Sequence, residues 1–371
     1  MPVQKLDFVD RMRGLAILAV IAVHYAQMFA SPTLKIIGAT GQVGVQLFFV
    51  ASAFTLCLSA DQRAGEAHGV RNFYIRRYFR IAPLYYLGIV AYAALYISAG
   101  KGSSYTAGNI LANVFFVHGV IPSANNSIVP GGWTIGAEML FYLIFPALYW
   151  AVERSWRRFG GAALAAWLGL ALLVALGWHF GYRLETGRWI ANNQFPYTVF
   201  IAQFSVFMIG IVYYLAAWRG DMLAPHRLRD GLLAAAGFGL CSWVIVADVH
   251  PLYGVLPTFA GIASVFLANW LRGQSAAGAS GGGWLVGIGK VSFSLYVLHF
   301  MLVWQPSAWV IHWFEGDVLA EWLIALPLFV IDVVLLYWAG RITLRYIETP
   351  ANNLARALIR RLDKPKEIPA S

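Results

Sequence analysis

The sequence predicts an all-α, polytopic integral membrane protein of about ten transmembrane helices with both termini in the cytoplasm. Three observations carry that prediction. The first is composition: the 371 residues are 60% hydrophobic and 12% charged, with mean hydropathy +0.64, whereas soluble domains carry about a quarter charged residues. The second is run length, because the apolar residues come in blocks of roughly 20, the number an α-helix needs to cross about 30 Å of hydrocarbon. The third is the sidedness of the basic residues, set out below. A membrane β-barrel would show strands of about ten alternating apolar and polar residues, and runs such as Leu232 to Val246 do not alternate.

Taken in order, the predicted spans are 14–31, 40–59, 81–99, 133–152, 161–179, 195–217, 231–247, 252–271, 291–310 and 319–340. The apolar stretch 108–121 is short and ends in polar Ser123 to Ser127, so it reads as a re-entrant or interfacial piece. An even count places both ends on one side. On this map all but four of the 27 lysines and arginines fall on that side, among them Lys5, Arg11, Arg13, the group Arg63 to Arg80, and seven from Arg341 to Lys366. The exceptions are Lys35, Lys101, Arg183 and Arg188. Positive charge favours the cytoplasm, which fixes the orientation. The net charge of +10 follows from the same bias, so the sequence gives no reason to expect a nucleic-acid partner.

Cys57 and Cys241 fall in different spans and suggest neither a disulfide framework nor a metal site. The first apolar run lacks a small-residue cleavage pattern, so no cleavable signal is expected. The stretch Gly273 to Gly289 reads as a flexible cytoplasmic loop. Gly289-Lys290 hints at a phosphate loop, but Trp284 stands where its first glycine belongs and Val291 where Ser or Thr should follow. One membrane domain, 1–352, with a basic cytoplasmic tail, 353–371, is the expected organisation.

Function is sought where ionisable groups enter the membrane, because they are costly there. His24 lies eleven residues after Arg13, three helical turns with about 20° of drift, so both share a face with a rise of about 16 Å. Asp10 lies one turn before Arg13 and is placed to orient it. The residues alone leave two readings open: a hydrogen bond to a neighbouring helix, or proton transfer, for which imidazole is well poised near neutral pH. Arg77 and Arg80, one turn apart in a loop leading to Ile81-Ala82-Pro83, read as helix-N-terminal guanidiniums suited to phosphate, or equally as topology signals. Glu138, in Trp133-Thr134-Ile135-Gly136-Ala137-Glu138, is expected on the non-cytoplasmic side, either as a structural bond or as a working group.

Together these segments carry a resemblance. Asp10-Arg11-Met12-Arg13-Gly14-Leu15-Ala16 followed by His24, the run Gly44 to Phe54, Arg77 to Tyr86, Trp133 to Glu138 with Phe141-Tyr142, Phe293-Ser294-Leu295-Tyr296-Val297-Leu298-His299, and Glu348-Thr349-Pro350 resemble the acyltransferase-3 family, in its order, from residue 6 to about 352. The resemblance implies a ten-helix O-acyltransferase of the bacterial inner membrane, in the form without a soluble hydrolase-like domain. It would move an acyl group, commonly acetyl, from cytoplasmic acyl-coenzyme A to a hydroxyl of a carbohydrate or lipid-linked glycan, with no metal. Carried over by position, Arg13 and His24 match an arginine, ten residues, histidine motif, and Arg77 and Arg80 the donor-side pair. Thr134 and Gly136 replace usual serines, Met139 a frequent acidic residue, and Gln46 a usual aspartate.

The mechanism expected is coenzyme A phosphates on Arg77 and Arg80, the pantetheine arm beside Arg13, and His24 as general base, with an acyl-histidine intermediate not distinguished. Glu138 would position the acceptor sugar or tune His24. His299, Asp332 and Glu348 read as structural groups first. The competing class is a transporter or exporter in which the same polar groups form a relay, although no internal repeat is visible.

Overall fold

The computed structural model describes residues 6–191, 193–276, 283–314 and 316–363, the side chain of Gln305 excepted. Lys5, Gly278 and the tail end 364–371 lie outside them. The described residues form α1 (Asp7–Ala26), α2 (Pro32–Ala39), α3 (Gly44–Asp61), α4 (Gly69–Ser98), α5 (Ala107–Val114), α6 (Trp133–Phe159), α7 (Gly161–Thr186), α8 (Phe195–Thr198) and α9 (Phe200–Tyr213). These are followed by α10 (Arg227–Val246), α11 (Leu256–Ala276), α12 (Gly283–Lys290), α13 (Ser292–His299), α14 (Gln305–His312), α15 (Val318–Thr343) and α16 (Thr349–Leu362). No strand occurs among the described residues.

Eight of the helical stretches are long and apolar enough to cross a membrane: Pro32–Asp61, Gly69–Ser98, Trp133–Phe159, Gly161–Thr186, Phe195–Arg219, Arg227–Val246, Ser292–His312 and Val318–Leu362. Helices α1 and α11 are not among them, although at 20 and 21 residues each is about 30 Å long. Helix α1 carries Asp7, Asp10, Arg11 and Arg13 in its first turns, and α11 carries Ser264, Asn269 and Arg272. These polar groups face protein: Asp10, Arg11, Ser264 and Asn269 are buried. Helix α5 has eight residues, about 12 Å, too short to cross.

Helix α1 is the central post, packed against α2, α3, α11, α12 and α13. Small residues allow the approach. A Cβ on Gly38, Gly41 or Gly44 would stand 2.1 Å from Ala26, 2.2 Å from the Ala19 carbonyl or 2.6 Å from the Ala16 carbonyl, so a glycine every third residue lets the α2–α3 rod lie antiparallel along α1. On the other flank a Cβ on Gly289 would stand 1.8 Å from the Asp10 carbonyl oxygen. Gly289 is therefore a packing glycine where α12 crosses the start of α1. Residues 283–290 of the expected loop are this helix, and 277–282 lie outside the described residues.

One expectation needs correction, and two elements show more than their apolar runs did. Arg77 and Arg80 do not sit in a loop before a helix, because α4 begins at Gly69 and Pro83 is internal to it. The arginines project from the third and fourth turns, so the helix N-terminus contributes nothing to any anion they hold. The proline removes one backbone bond, and the helix continues around it. The expected span 291–310 is matched by the membrane-competent stretch Ser292–His312, which starts directly after a break at Val291 and passes through a π-helical turn at Phe300–Trp304. The start of the tail is helical through Leu362, and α16 packs on α4, tied by Asn72 Nδ2 to Asp363 at 3.1 Å and by an Arg71–Asp363 ion pair. The expected boundary at 352 thus falls inside a helix.

The basic side is drawn together by buried or half-buried acids. Arg219 meets Asp61 at 3.1 Å and Glu153 at 2.5 Å, while Tyr149 and Tyr214 each donate to Asp61 at 2.7 Å. The ends of α3, α6 and the π-helical turn Tyr214–Arg219 therefore lie on one face. The two cysteines are free and buried.

Candidate active site

On that face opens a cavity of about 900 Å³ lined by Arg13, Arg63, Arg76, Arg77, Arg80, Lys290, Arg341 and Arg356, against which stand only two lining acids, Asp10 and Glu348. Some cations are already engaged. Arg63 and Arg76 share Glu66 at 3.4 and 3.0 Å. Arg13 donates to Thr55 Oγ1 at 3.0 Å and stands 3.8 Å from Asp10, which is the i, i+3 pairing its spacing predicts. Arg77 differs: its guanidinium lies over Phe73 and Tyr142, 5.6 and 5.7 Å from the ring centroids, while its Nε is buried without a hydrogen-bond partner. A buried donor in that state is costly unless something polar reaches it. An excess of guanidinium in a partly enclosed space is suited to a polyanion carrying phosphates.

The cavity narrows inward to a pocket of about 70 Å³ that shares Arg13, Arg80, Ser292 and Phe293 with it and adds Val45, Phe48, Phe49, Ser52, Thr134, Ile135, Glu138 and Tyr296. Glu138 is held here. Its carboxylate accepts from Tyr142 Oη at 2.5 Å and from Ser52 Oγ. Arg13 and Arg77 lie close enough for their charges to act on it, and Arg80 lines the same pocket. Tyr296 closes the pocket, its hydroxyl held between Thr134 Oγ1 at 2.8 Å and the Gly131 carbonyl at 2.9 Å, its ring set edge-on to Phe48.

Further along α1, about 16 Å from Arg13, His24 lies in a different setting. Its ring is 5.3 Å from that of His299 and 4.4 Å from that of Phe300. Phe300 in turn lies 4.3 Å from His299. His299 reaches this point because α13 runs inward from Ser292, which lines the cationic cavity, and the π-helical turn begins directly after it. Such turns inside helices occur often at functional sites.

A family model described as an acyltransferase domain matches residues 6–340. The chain belongs to the acyltransferase-3 family. It is 26% identical over 81% of its length, and 80% of the relative's, to "Acyltransferase MdmB" of Streptomyces mycarofaciens. It is 33% identical to "Exopolysaccharide production protein ExoZ" of Rhizobium meliloti, over 70% of this chain and 75% of that one. A shorter similarity, 28% identity over 45% of this chain and 28% of the relative, joins it to "Peptidoglycan O-acetyltransferase OatA" of Listeria monocytogenes. No solved structure matches it.

The protein is thus a membrane acyltransferase, and covalent chemistry takes precedence over the transporter reading. Its acyltransferase domain gathers Arg13, Arg77, Arg80 and Glu138 at one end of α1 and leaves His24 at the other. The expected place of Glu138, on the far side beside the acceptor, differs from the observed one among the arginines. Asp332 accepts from Ser307 at 2.8 Å and lies close enough to Tyr25, the neighbour of His24, for its charge to act there, whereas Glu348 accepts from Ser294 and lines the cationic cavity. Sequence reasoning missed Arg63, Arg76, Lys290, Arg341 and Arg356 as cavity residues. For Lys290 the signal was present in the discarded Gly289-Lys290 pair. For the others nothing local separates a cavity arginine from a topology signal.

Proposed function

We propose that this acyltransferase moves a short acyl group, acetyl in the first place, from cytoplasmic acyl-coenzyme A to a hydroxyl of a carbohydrate or lipid-linked glycan at or beyond the bacterial inner membrane. The observation that carries the reading is the division of labour along α1, with a cationic cavity at one end and an imidazole among aromatic rings at the other. Arg77 and Arg80, with the lysine and arginines around them, would hold the donor's phosphates, and the pantetheine arm would pass Arg13 through the narrow pocket. His24 would accept the acceptor's hydroxyl proton as the new C–O bond forms and the thioester C–S bond breaks. The sulfur leaves with the electron pair and takes that proton, so His24 returns to its starting state. The names of the exopolysaccharide and peptidoglycan relatives support a glycan acceptor. On this reading α1 and α11 complete ten crossings with both termini cytoplasmic, α1 running from the basic face to the opposite one and α11 returning to it.

Purified protein in lipid nanodiscs, given acyl-labelled acetyl-coenzyme A and lipid-linked oligosaccharides, tests the reaction. Label recovered in base-labile ester on the glycan is expected; turnover that needs no coenzyme A thioester overturns it. Reporter fusions test the map: Gly65, Arg157 and Gly278 should read cytoplasmic, Gly102, Gly187 and Asp317 external, and an external reading at Gly278 removes the ten-helix topology.

A further inference from the structure

Beyond the base itself, the structure places a second imidazole in an unusual state. His299 is only 3% exposed. Its Nδ1 lies 2.7 Å from the Tyr296 carbonyl oxygen, and since a carbonyl only accepts, Nδ1 carries the proton. Nε2 is then a bare lone pair, and it is buried with no hydrogen-bond partner. Leaving such an acceptor unpaired is unfavourable. The aromatic ring of Phe300, packed on both histidines, offers it nothing to accept. Beside it stands His24, an imidazole able to donate a ring N–H, whose side chain is hydrogen-bonded to that of Gln27 in this structure. The two rings are 5.3 Å apart and inclined by 30°, close to the separation of about 5 Å at which imidazoles share an N–H···N bond of roughly 3 Å.

We propose that His299 is the positioning partner of His24. A small turn of the rings from the arrangement seen here lets its Nε2, unpartnered in this structure, accept a hydrogen bond from one ring nitrogen of His24, and leaves the other, unprotonated nitrogen to the acceptor hydroxyl in place of Gln27. When that nitrogen takes the hydroxyl proton, His299 shares the resulting positive charge; it gains and loses no proton itself. A fixed tautomer and a fixed ring plane are what a general base requires of its neighbour. The inference rests on the reading of His24 as base.

The test compares His299→Leu with His299→Gln in the nanodisc assay. Leucine fills the space without a lone pair; glutamine supplies a carbonyl oxygen that accepts. The leucine variant should lose about 10- to 100-fold in kcat, the scale for outer partners of a functional histidine, with both KM values within about two-fold, and glutamine should recover most of it. In a His24→Ala background His299→Leu should cost nothing further, because the two act as one unit. Equal activity of the leucine and glutamine variants, or a leucine variant with unchanged kcat, overturns the proposal. Should the leucine variant fail to insert, His299→Asn replaces it: its carbonyl falls one methylene short, so asparagine must be poor where glutamine is good. An inactive His24→Ala protein beside a fully active His299→Leu protein would remove the pairing alone, whereas an active His24→Ala protein would remove the base.

Discussion

The two ends of α1 are built by opposite rules. At the basic end a wide cavity collects eight cations from elements spread between residues 13 and 356, and its walls tolerate charge because they are open to water. At the inner end two helices and one π-helical turn bring His24, His299 and Phe300 into ring contact. The first is suited to hold a large anion by many replaceable contacts. The second is suited to do chemistry with one group, set among aromatic rings. Affinity should therefore be shared out at the cavity and reactivity concentrated at the rings.

The strongest way to break that contrast is His24→Ala. It should lower turnover by about 10²- to 10⁴-fold, the usual worth of a positioned general base, while the protein remains at normal level in the membrane. Near-normal turnover would mean that the inner end is only packing.

A smaller effect is expected at the cavity, where contacts are shared. Arg77→Lys with Arg80→Lys keeps the positive charge that orients the helix but loses the planar, two-pronged contact with phosphate. The donor interaction should weaken by about 1–3 kcal/mol, or roughly 5- to 150-fold, seen as a raised KM for acyl-coenzyme A with the acceptor KM little changed. If the double variant binds coenzyme A as tightly as the parent, as measured by calorimetry, these arginines serve topology alone.

The smallest effect sharpens the border between the two ends. Glu138→Gln retains an oxygen to accept from Ser52 or Tyr142 and removes the charge that faces Arg13, Arg77 and Arg80. A change of about 1 kcal/mol, roughly five-fold, should appear in the donor KM. If the acceptor KM moves instead, Glu138 belongs to the acceptor side, as its sequence position first suggested.

These differences trace what is local and what is not. The apolar runs behind α7, α10 and α15 were readable because a helix in hydrocarbon satisfies its backbone within one segment, so length and composition decide it. The register of Arg13 with His24 followed from 3.6 residues per turn, and the bias of arginine and lysine gave one side before any contact was known. Helix ends were less legible: α4 starts at Gly69, twelve residues before its apolar run, because polar turns can extend a helix into a cavity that water reaches. The break at Val291 was hidden because Gly289 is needed for the crossing with Asp10, a neighbour 279 positions away.

By itself, then, the sequence determined that the chain is a helical membrane protein, which side carries the charge, and that Arg13 and His24 share one helix face. Only the tertiary structure decided that Glu138 sits with the arginines, that Lys290, Arg341 and Arg356 join Arg77 and Arg80 around one cavity, and that His299 stands beside His24. The physical reason is the range of the interactions. Backbone hydrogen bonds and hydrophobic run length act within one segment and leave their mark on it, whereas the meeting of side chains from distant segments depends on how closely whole helices can approach, set here by glycines at 38, 41, 44 and 289.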